Sequence, residues 1–447
     1  PPPTAMTPVG PKMGPPIGSP VGPAAGLADR HRAPAPGTDG IHYGWWIVLA
    51  ATFSMFVCLG IGRFALGMLL PAMGEALSLN YAQMGWISTA NFIGYFLGAL
   101  WVGRLLPKYG ERRLIAMALM LIVVSMLGVA LSKGFAPILS LLGVTGLGSG
   151  IALVCTVSLL PHWFVSHWRG RAVGFLSVGF GLAVILAGWS VPWITYEMGP
   201  IGWRLGWGGL AAVCLPLVLF CLIVVRNRPA ELGLEPFGEE NAGTAAGTNS
   251  NAAVTPPTNA PQGLAKVITR LGVIYFLFGA TYVVYGTFII TTLVREHGMD
   301  ETSAGQFWIL MGVFSLCCGP LMGSLSDRMG RRAGISVSLL FQACAYGLIS
   351  YANSDMAIYA SIALYGLSAF GVPLIMSATV ADYATPVRAA AIIGTITAIF
   401  GVGQILGPIL AGLMADYSGS FTPAYLAAAA LVALAIAITL TLPDPPS

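Results

Sequence analysis

The sequence predicts an all-α membrane protein with twelve transmembrane helices. Of its 447 residues, 56% are hydrophobic and only 9% are charged, whereas an ordinary soluble domain has about 25% charged residues. Apolar runs of about twenty residues recur along the chain, and each can cross a hydrocarbon core of about 30 Å. Lysines and arginines are concentrated in alternate loops, as in oriented membrane proteins. These observations exclude a soluble enzyme, and the net charge of +4 says little about nucleic acid.

The apolar runs give twelve predicted spans in chain order. Six precede a polar linker, at 45–70, 84–106, 114–132, 137–160, 172–195 and 205–225, and six follow it, at 271–294, 304–326, 334–352, 356–381, 389–413 and 421–442. With a cytoplasmic N-terminus, the only lysines and arginines in external loops are Lys133, Arg204 and Arg295. We therefore expect both termini in the cytoplasm. The length and the short loops favour a multi-pass protein of a bacterial inner membrane.

Composition divides the chain into five parts. Residues 1–43 are rich in Pro, Gly and Ala and are predicted to be a disordered cytoplasmic tail. Residues 44–225 and 271–442 are two predicted six-helix bundles, with a cytoplasmic linker at 226–270 and a short tail at 443–447. All seven cysteines lie in predicted spans, so we expect buried apolar residues and no disulfides.

Two related loop segments indicate an internal duplication. GRLLPKYGERR (Gly103–Arg113) follows the second span, and GSLSDRMGRR (Gly323–Arg332) follows the eighth. Their first glycines are 220 positions apart, and the same offset aligns the starts of these two spans without a gap. A fixed offset is typical of a repeated unit. The fourth and fifth spans of each half align less cleanly.

With two sets of six spans and this paired loop motif, the chain resembles the major facilitator superfamily. The second copy matches the superfamily motif in full, at Gly323, Asp327, Arg328, Gly330, Arg331 and Arg332. The first copy keeps Gly103 and Arg112 but has Pro107 where the superfamily has aspartate. The segment from Arg226 to Glu240 is similar to the linker of the monocarboxylate and oxalate–formate branch, and other stretches look like uncharacterised bacterial members.

The resemblance implies a secondary transporter and not an enzyme. In that fold two bundles rock around a central site lined by spans 1, 4, 7 and 10. The resemblance also implies that the loop motif is a cytoplasmic latch, in which Asp327 would accept hydrogen bonds at a neighbouring helix N-terminus. Arg328, Arg331 and Arg332 would pair with carboxylates or lipid phosphates. Alternatively, the loop arginines only set the topology.

One ionisable residue lies well inside a span. Arg63 is eight residues before Pro71, which places it about 12 Å from the external end of the helix. No carboxylate is predicted at its depth, and unpaired charges in a membrane usually line cavities and substrate paths. Its neighbours Gly60 and Gly67 are small, which would leave room for a ligand. A guanidinium binds carboxylates in a bidentate manner, so we predict an anion site. Alternatively, Arg63 snorkels outward or binds a backbone carbonyl.

The repeat predicts what faces Arg63. The offset places Val283 opposite it, beside Thr281, Tyr282 and Tyr285. Ser88, Asn91 and Tyr95 form a polar stripe on span two. Further candidates are Gln404 on span eleven and Trp308, which is equivalent to Ser88 by the offset. Of these we predict substrate contacts for Tyr282, Tyr285, Thr281, Asn91, Gln404 and Trp308. Aromatic packing and interhelical hydrogen bonding are the alternative roles.

These features predict a secondary active or facilitative transporter that carries a small organic anion, such as a monocarboxylate, by alternating access. No Asp, Glu or His lies well inside a span, so exchange or facilitated transport is favoured over proton symport. In proton symport the substrate's own carboxyl would have to carry the proton. The expected partners are the substrate and the lipid bilayer. We expect a monomer without cofactor, metal or nucleic acid.

Three other functions stay open. The first is export of neutral or amphipathic compounds, with a structural Arg63. The second is a copper carrier with soft ligands at Met311, Cys317, Cys318 and Met322. The third is a sensor that no longer transports. ATP-driven transport is disfavoured because the sequence has no G-x-x-x-x-G-K-[ST] loop.

Overall fold

The chain forms a series of long helices. This computed structural model describes residues 41–238, 264–352, 354–384 and 386–443. The predicted tail as far as residue 40, the linker stretch 239–263 and residues 444–447 lie outside the described residues. The helices are α1 (Tyr43–Met55), a π-helical segment (Phe56–Phe64), α2 (Ala65–Ala76), α3 (Tyr81–Leu131), α4 (Phe135–Trp163), α5 (Ser166–Met198), α6 (Gly202–Val224), α7 (Leu264–Arg295), α8 (Glu301–Met329), α9 (Arg331–Ser350), α10 (Asp355–Ser368), α11 (Gly371–Tyr383), α12 (Pro386–Ser418) and α13 (Thr422–Leu440).

Ten helical runs in the described ranges are long and apolar enough to cross a membrane. Two of them are much longer than one crossing: Tyr81–Leu131 has 51 residues and His167–Val224 has 58. At 1.5 Å per residue, 51 helical residues extend about 77 Å, more than twice the hydrocarbon thickness of about 30 Å. Each run is interrupted near its middle by a glycine with positive φ, Gly110 (72°) or Gly199 (54°). After Gly110 the chain lies antiparallel to α6, because Arg112 contacts Leu222 and Arg204 contacts Ala130.

Helix boundaries repeat at the offset of 220 residues. The first residues of α3 and α8, of α4 and α10, of α5 and α12, and of α6 and α13 are each 220 positions apart. The positive-φ glycines obey the same offset, Gly110 with Gly330 and Gly199 with Gly419. The sequence comparison found a poorer alignment at the fourth and fifth spans. The helix starts nevertheless keep the offset there without a gap.

Helix starts at equivalent positions use the same capping chemistry. The Asn80 side-chain oxygen accepts a hydrogen bond from the Gln83 backbone amide at 2.8 Å, and the Gln83 side-chain oxygen accepts one from the Asn80 backbone amide at 3.1 Å. Asp300 accepts from the amide and hydroxyl of Ser303 at 2.9 and 2.7 Å. These bonds lower the pKa of the Asp300 carboxyl below its ordinary value. Both caps satisfy donors that a helix start leaves unpaired.

The first half (residues 43–224) and the second half (residues 264–440) meet mainly where α3 packs on α12, α5 on α8 and α2 on α7. We call the end that carries Gly110 and Gly330 the motif face, and the opposite end the far face. Glycines bring the halves together towards the far face. A Cβ at Gly305 would lie 2.4 Å from the Gly188 oxygen, and one at Gly85 would lie 2.6 Å from the Pro408 oxygen.

The same helices separate towards the motif face. A Cβ added at Gly170 or Gly174 of α5, at Gly319 of α8 or at Gly394 of α12 would meet nothing within 4 Å. The halves therefore touch at the far face and diverge at the motif face.

A short segment after α6 folds back over the motif face of the first half. The Phe237 amide donates to the Trp163 oxygen at 2.9 Å, and the Val165 amide donates to the Phe237 oxygen at 3.3 Å. The Phe237 ring packs against four other rings, those of His42, Trp45, Phe164 and Trp168. We call residues 226–238 the strap. The last predicted linker residues, 264–270, belong instead to α7.

Candidate functional site

Arg63 lies in the π-helical segment between α1 and α2. It is 7% exposed, and it is the one Lys, Arg, Asp or Glu side chain that is buried among the residues that the structure describes. A π-helical turn is wider than an α-helical turn and frequently occurs at functional sites. The Asn91 amide group donates to the Gly62 oxygen at 3.0 Å and to the Leu142 oxygen at 3.1 Å. Asn91 therefore ties the π-helical segment to α4, which is a supporting role.

The sequence had suggested that the small residues around Arg63 leave room for a ligand, but the space beside the glycines themselves is filled. A Cβ at Gly60 would lie 2.1 Å from the Ala183 Cβ, and one at Gly62 would lie 2.7 Å from the Ser149 oxygen. A Cβ at Gly67 would lie 2.6 Å from the Gly286 oxygen. That interpretation was wrong, because neighbouring helices fill the space at all three glycines.

The guanidinium is held by aromatic faces and keeps one edge free. Its carbon lies 4.0 Å from the centroid of the Tyr95 ring and 4.6 Å from that of Phe92, distances that give attractive cation–π contacts. The phenol oxygens of Tyr95 and Tyr282 also lie within hydrogen-bonding reach of the guanidinium. Nε and Nη2 are buried and have no hydrogen-bond partner. These two nitrogens form one edge of the fork, so the unpaired donors point the same way.

Tyr282 connects Arg63 to the second half. Gln404 Nε2 makes a short hydrogen bond to the Tyr282 hydroxyl, while Gln404 Oε1 is buried without a partner. The Tyr282 ring belongs to a set of near-parallel rings on α7 and α12. It lies 4.8 Å from the ring of Phe278 at 6° and 5.7 Å from the ring of Phe400 at 17°. The predicted candidates Tyr282 and Gln404 are therefore brought together beside Arg63.

Three aromatic rings close the middle of the bundle between the halves. Phe180 of α5 lies 4.9 Å from Phe64 and 4.4 Å from Phe370, at the break between α10 and α11. Phe64 and Phe180 belong to the first half and Phe370 to the second, so this cluster joins the two halves.

The other predicted contacts lie elsewhere. The Tyr285 hydroxyl bonds to Ser361 at 2.7 Å, and its ring stacks on Tyr365 at 4.3 Å, inside the second half. Thr281 donates to its own helix backbone at Leu277. Trp308 packs near Gly67, and its buried Nε1 has no partner. We find no contact between these three side chains and Arg63 in the part of the chain that the structure describes.

The loop motif forms a separate site at the motif face. Arg331 donates to Asp327 at 2.6 Å and to Asp382, near the end of α11, at 2.9 Å. A cavity of about 350 Å³ adjoins them and includes Gly330 and Arg332 in its lining. Asp327 thus accepts from the side chain of Arg331, which is the first residue of α9.

Other motif residues make fewer contacts. Arg112 of the first copy donates to the Leu222 oxygen at 3.2 Å. A Cβ at Gly103 would meet nothing within 4 Å, and one at Gly323 would meet only Leu374. No contact of Arg328 is found in the described ranges.

The sulfur-bearing residues considered for copper do not share one face. Met311, Cys318 and Met322 are buried, whereas Cys317 is exposed. Within the described residues, no three His, Cys, Asp or Glu side chains lie close enough to hold a metal ion.

The family model and the relatives that match this chain are transporters. The family model described as "Uncharacterised MFS-type transporter YbfB" matches residues 55–440. The 3-(3-hydroxy-phenyl)propionate transporter of Escherichia coli K12 is 27% identical over 82% of this chain and 86% of its own. Human monocarboxylate transporter 2 is 21% identical over 90% of this chain and 87% of its own. The crystal structure of a D-xylose–proton symporter superposes with a TM-score of 0.72 at 16% identity, covering 90% of this chain and 98% of that one.

Proposed function

We propose, from the premise that this chain belongs to the family of the uncharacterised MFS-type transporter YbfB, that it carries a small organic anion bound at Arg63. Members of this family are transporters and not enzymes, and their fold implies alternating access. The observation that carries the proposal is the free edge of a buried guanidinium, with Nε and Nη2 both unpaired.

The free edge is informative because other arginines of this chain are satisfied by the backbone. Arg204 donates to the Ala130 and Ser132 oxygens, and Arg112 donates to the Leu222 oxygen. A purely structural Arg63 would be expected to find similar acceptors, since an unpaired buried donor costs about 1–3 kcal/mol or more when charged. A carboxylate would accept from both nitrogens and neutralise the charge in one step.

The relatives support an organic acid as the anion. One has a name that specifies 3-(3-hydroxy-phenyl)propionate and another has a name that specifies monocarboxylates. Both substrates named carry a single carboxylate.

We further propose twelve crossings with the motif face in the cytoplasm. The ten apolar runs become twelve if the two long ones each cross twice, at the breaks of Gly110 and Gly199. The arginines of the loop motif then obey the positive-inside rule. The membrane would be a bacterial inner membrane, and the protein would act as a monomer.

Exchange or facilitated transport is the coupling that the residues favour. No Asp, Glu or His side chain is buried among the described residues, so a proton would have to travel on the substrate's carboxyl. The pair of carboxylates on Arg331 would act as the latch of the second half, since it joins the end of α8 to the end of α11.

The test is ligand binding by the purified full chain in detergent. Lactate and benzoate are compared with their neutral amides, in the wild type, Arg63→Lys and Arg63→Ala. Charge-assisted hydrogen bonds contribute about 1.5–3 kcal/mol, so Arg63→Ala should weaken carboxylate binding by about 10- to 150-fold. Arg63→Lys should recover part of this, because the charge stays and the fork is lost.

Binding of the amides as tightly as the acids, unchanged in Arg63→Ala, would refute the anion site. It would favour export of neutral compounds with a structural Arg63.

A further inference from the structure

We propose that the anion is an aromatic acid whose ring lies against the parallel rings beside Arg63. This inference rests on the proposed function, since it takes a carboxylate at Arg63 as given. It adds the chemical class of the rest of the molecule, which the free edge of the guanidinium does not specify.

The first support is the geometry of the aromatic set on α7 and α12. Tyr275, Phe278, Tyr282 and Phe400 lie within 17° of parallel in each contacting pair, and the ring centroids of Tyr275 and Phe400 are 4.4 Å apart. The cluster around Phe237, in contrast, is built from tilted and edge contacts of 50° to 71°. A series of parallel flat faces can accept one more planar ring in an offset stack.

The second support is the position of these rings. Tyr282 faces the guanidinium, and the rings of Tyr95 and Phe92 pack against it. A carboxylate on the free edge would therefore bring its substituent among aromatic surfaces of both halves. A planar substituent can contact them face to face.

The third support is a series of slightly exposed side chains that runs along α7 and α12. Arg63, Tyr282, Tyr275 and Phe400 are 7%, 5%, 6% and 8% exposed, whereas Phe278 behind them is 0% exposed. Tyr275 is seven residues before Tyr282 on α7, so the series extends about 10 Å towards the motif face, where the halves diverge. The slightly exposed ring surfaces thus follow one another from Arg63 in the direction in which the halves diverge.

One buried polar atom lies beside the aromatic surface. Gln404 Oε1 is buried and unpaired, while the same side chain bonds to the Tyr282 hydroxyl. A hydroxyl on the substrate ring can donate to this oxygen, since a hydroxyl is both donor and acceptor. Aromatic acids with a ring hydroxyl should therefore bind more tightly than those without one. A two- or three-carbon acid would satisfy Arg63 but leave the ring faces and Gln404 uncovered.

The experiment compares benzoate with cyclohexanecarboxylate, which has the same carboxylate and a ring of similar size without a π face. Binding to the full chain is measured by calorimetry in detergent. One offset stack should make benzoate about 2- to 12-fold tighter, although cyclohexanecarboxylate is the more hydrophobic acid. Phe400→Leu should remove this preference while retaining carboxylate binding.

Phe421→Leu is the matched control. Phe421 also stacks on a ring of α7, Phe288, with centroids 4.4 Å apart, but it lies away from Arg63. It should leave the preference intact. For the polar group, 4-hydroxybenzoate should bind more tightly than benzoate in the wild type, and Gln404→Met should abolish that difference.

The outcomes separate the two proposals. Equal affinity for benzoate and cyclohexanecarboxylate, or binding of lactate without benzoate, would overturn the aromatic class and leave the anion site standing. Failure of every carboxylate to bind would overturn the proposed function itself. The wild-type comparison needs no variant, so an unstable Phe400→Leu would not weaken the test.

Discussion

Adding one methyl group at Gly305 should open the far face. Its Cβ would lie 2.4 Å from the Gly188 oxygen and 2.5 Å from Pro192 Cγ, whereas ordinary contact begins near 3.4 Å. The far-face ends of α5 and α8 would therefore have to separate by about 1 Å. Overpacking of this kind costs about 1–3 kcal/mol, and it destabilises only the conformation in which the far face is closed. The population with an open far face should rise by about 5- to 150-fold.

Gly319→Ala is the matched control, because Gly319 lies on the same helix and its added Cβ would meet nothing within 4 Å. Both substitutions gain the same helix propensity, about 1 kcal/mol, so the difference between them isolates the contact with α5.

The assay is labelling of Ser88→Cys by a membrane-impermeant thiol reagent applied from the far face. Ser88 is 1% exposed, and its hydroxyl oxygen lies 3.3 Å from that of Thr287 in the other half. A cysteine at this position should therefore react with the reagent only when the halves separate. Labelling should be faster in Gly305→Ala and unchanged in Gly319→Ala. Equal rates in the two variants would refute the reasoning that this contact holds the far face closed.

Two further predictions concern the motif face. Phe237→Ala should release the strap and lower the free energy of unfolding by about 1–2 kcal/mol, because a half-buried ring is lost. Proteolysis within 226–238 should then be faster. Leu232→Ala is the control, because Leu232 is exposed on the same segment, and equal proteolysis of both variants would mean that Phe237 does not anchor the strap. Asp382→Asn should remove the charge that pairs with Arg331 at 2.9 Å and raise labelling of Thr379→Cys in the adjoining cavity. An exposed ion pair contributes about 0–1 kcal/mol, and Arg331 keeps Asp327 as its other partner, so a change of up to about fivefold is expected. An unchanged rate would remove the latch role of Asp382.

The sequence determined the class of protein and the place of its one intramembrane charge. Transfer of each residue into lipid depends largely on its own side chain, so hydropathy and charge located the apolar runs and singled out Arg63 without knowledge of contacts. The duplication was also visible, and the structure extended it to the fourth and fifth spans, where sequence similarity had faded but the helix boundaries kept the offset of 220 residues.

Helix periodicity predicts which residues share a face, and on α7 it could have revealed the aromatic series Tyr275, Phe278 and Tyr282. It cannot predict what that face meets. Tyr285 was predicted to face Arg63 but is bonded to Ser361, whereas Tyr282, about one helical turn away, does lie beside Arg63. The glycines around Arg63 suggested space but mark close helix contacts.

Only the tertiary structure brought Phe92 and Tyr95 to Arg63, placed Phe400 against Tyr282, and left one edge of the guanidinium unpaired. Arg63 lies in the π-helical segment, Phe92 and Tyr95 lie on α3, Tyr282 lies on α7 and Phe400 lies on α12. Their proximity depends on how the helices pack against one another. Packing depends on the fit between segments that are distant in sequence, and no local property of either segment reports that fit.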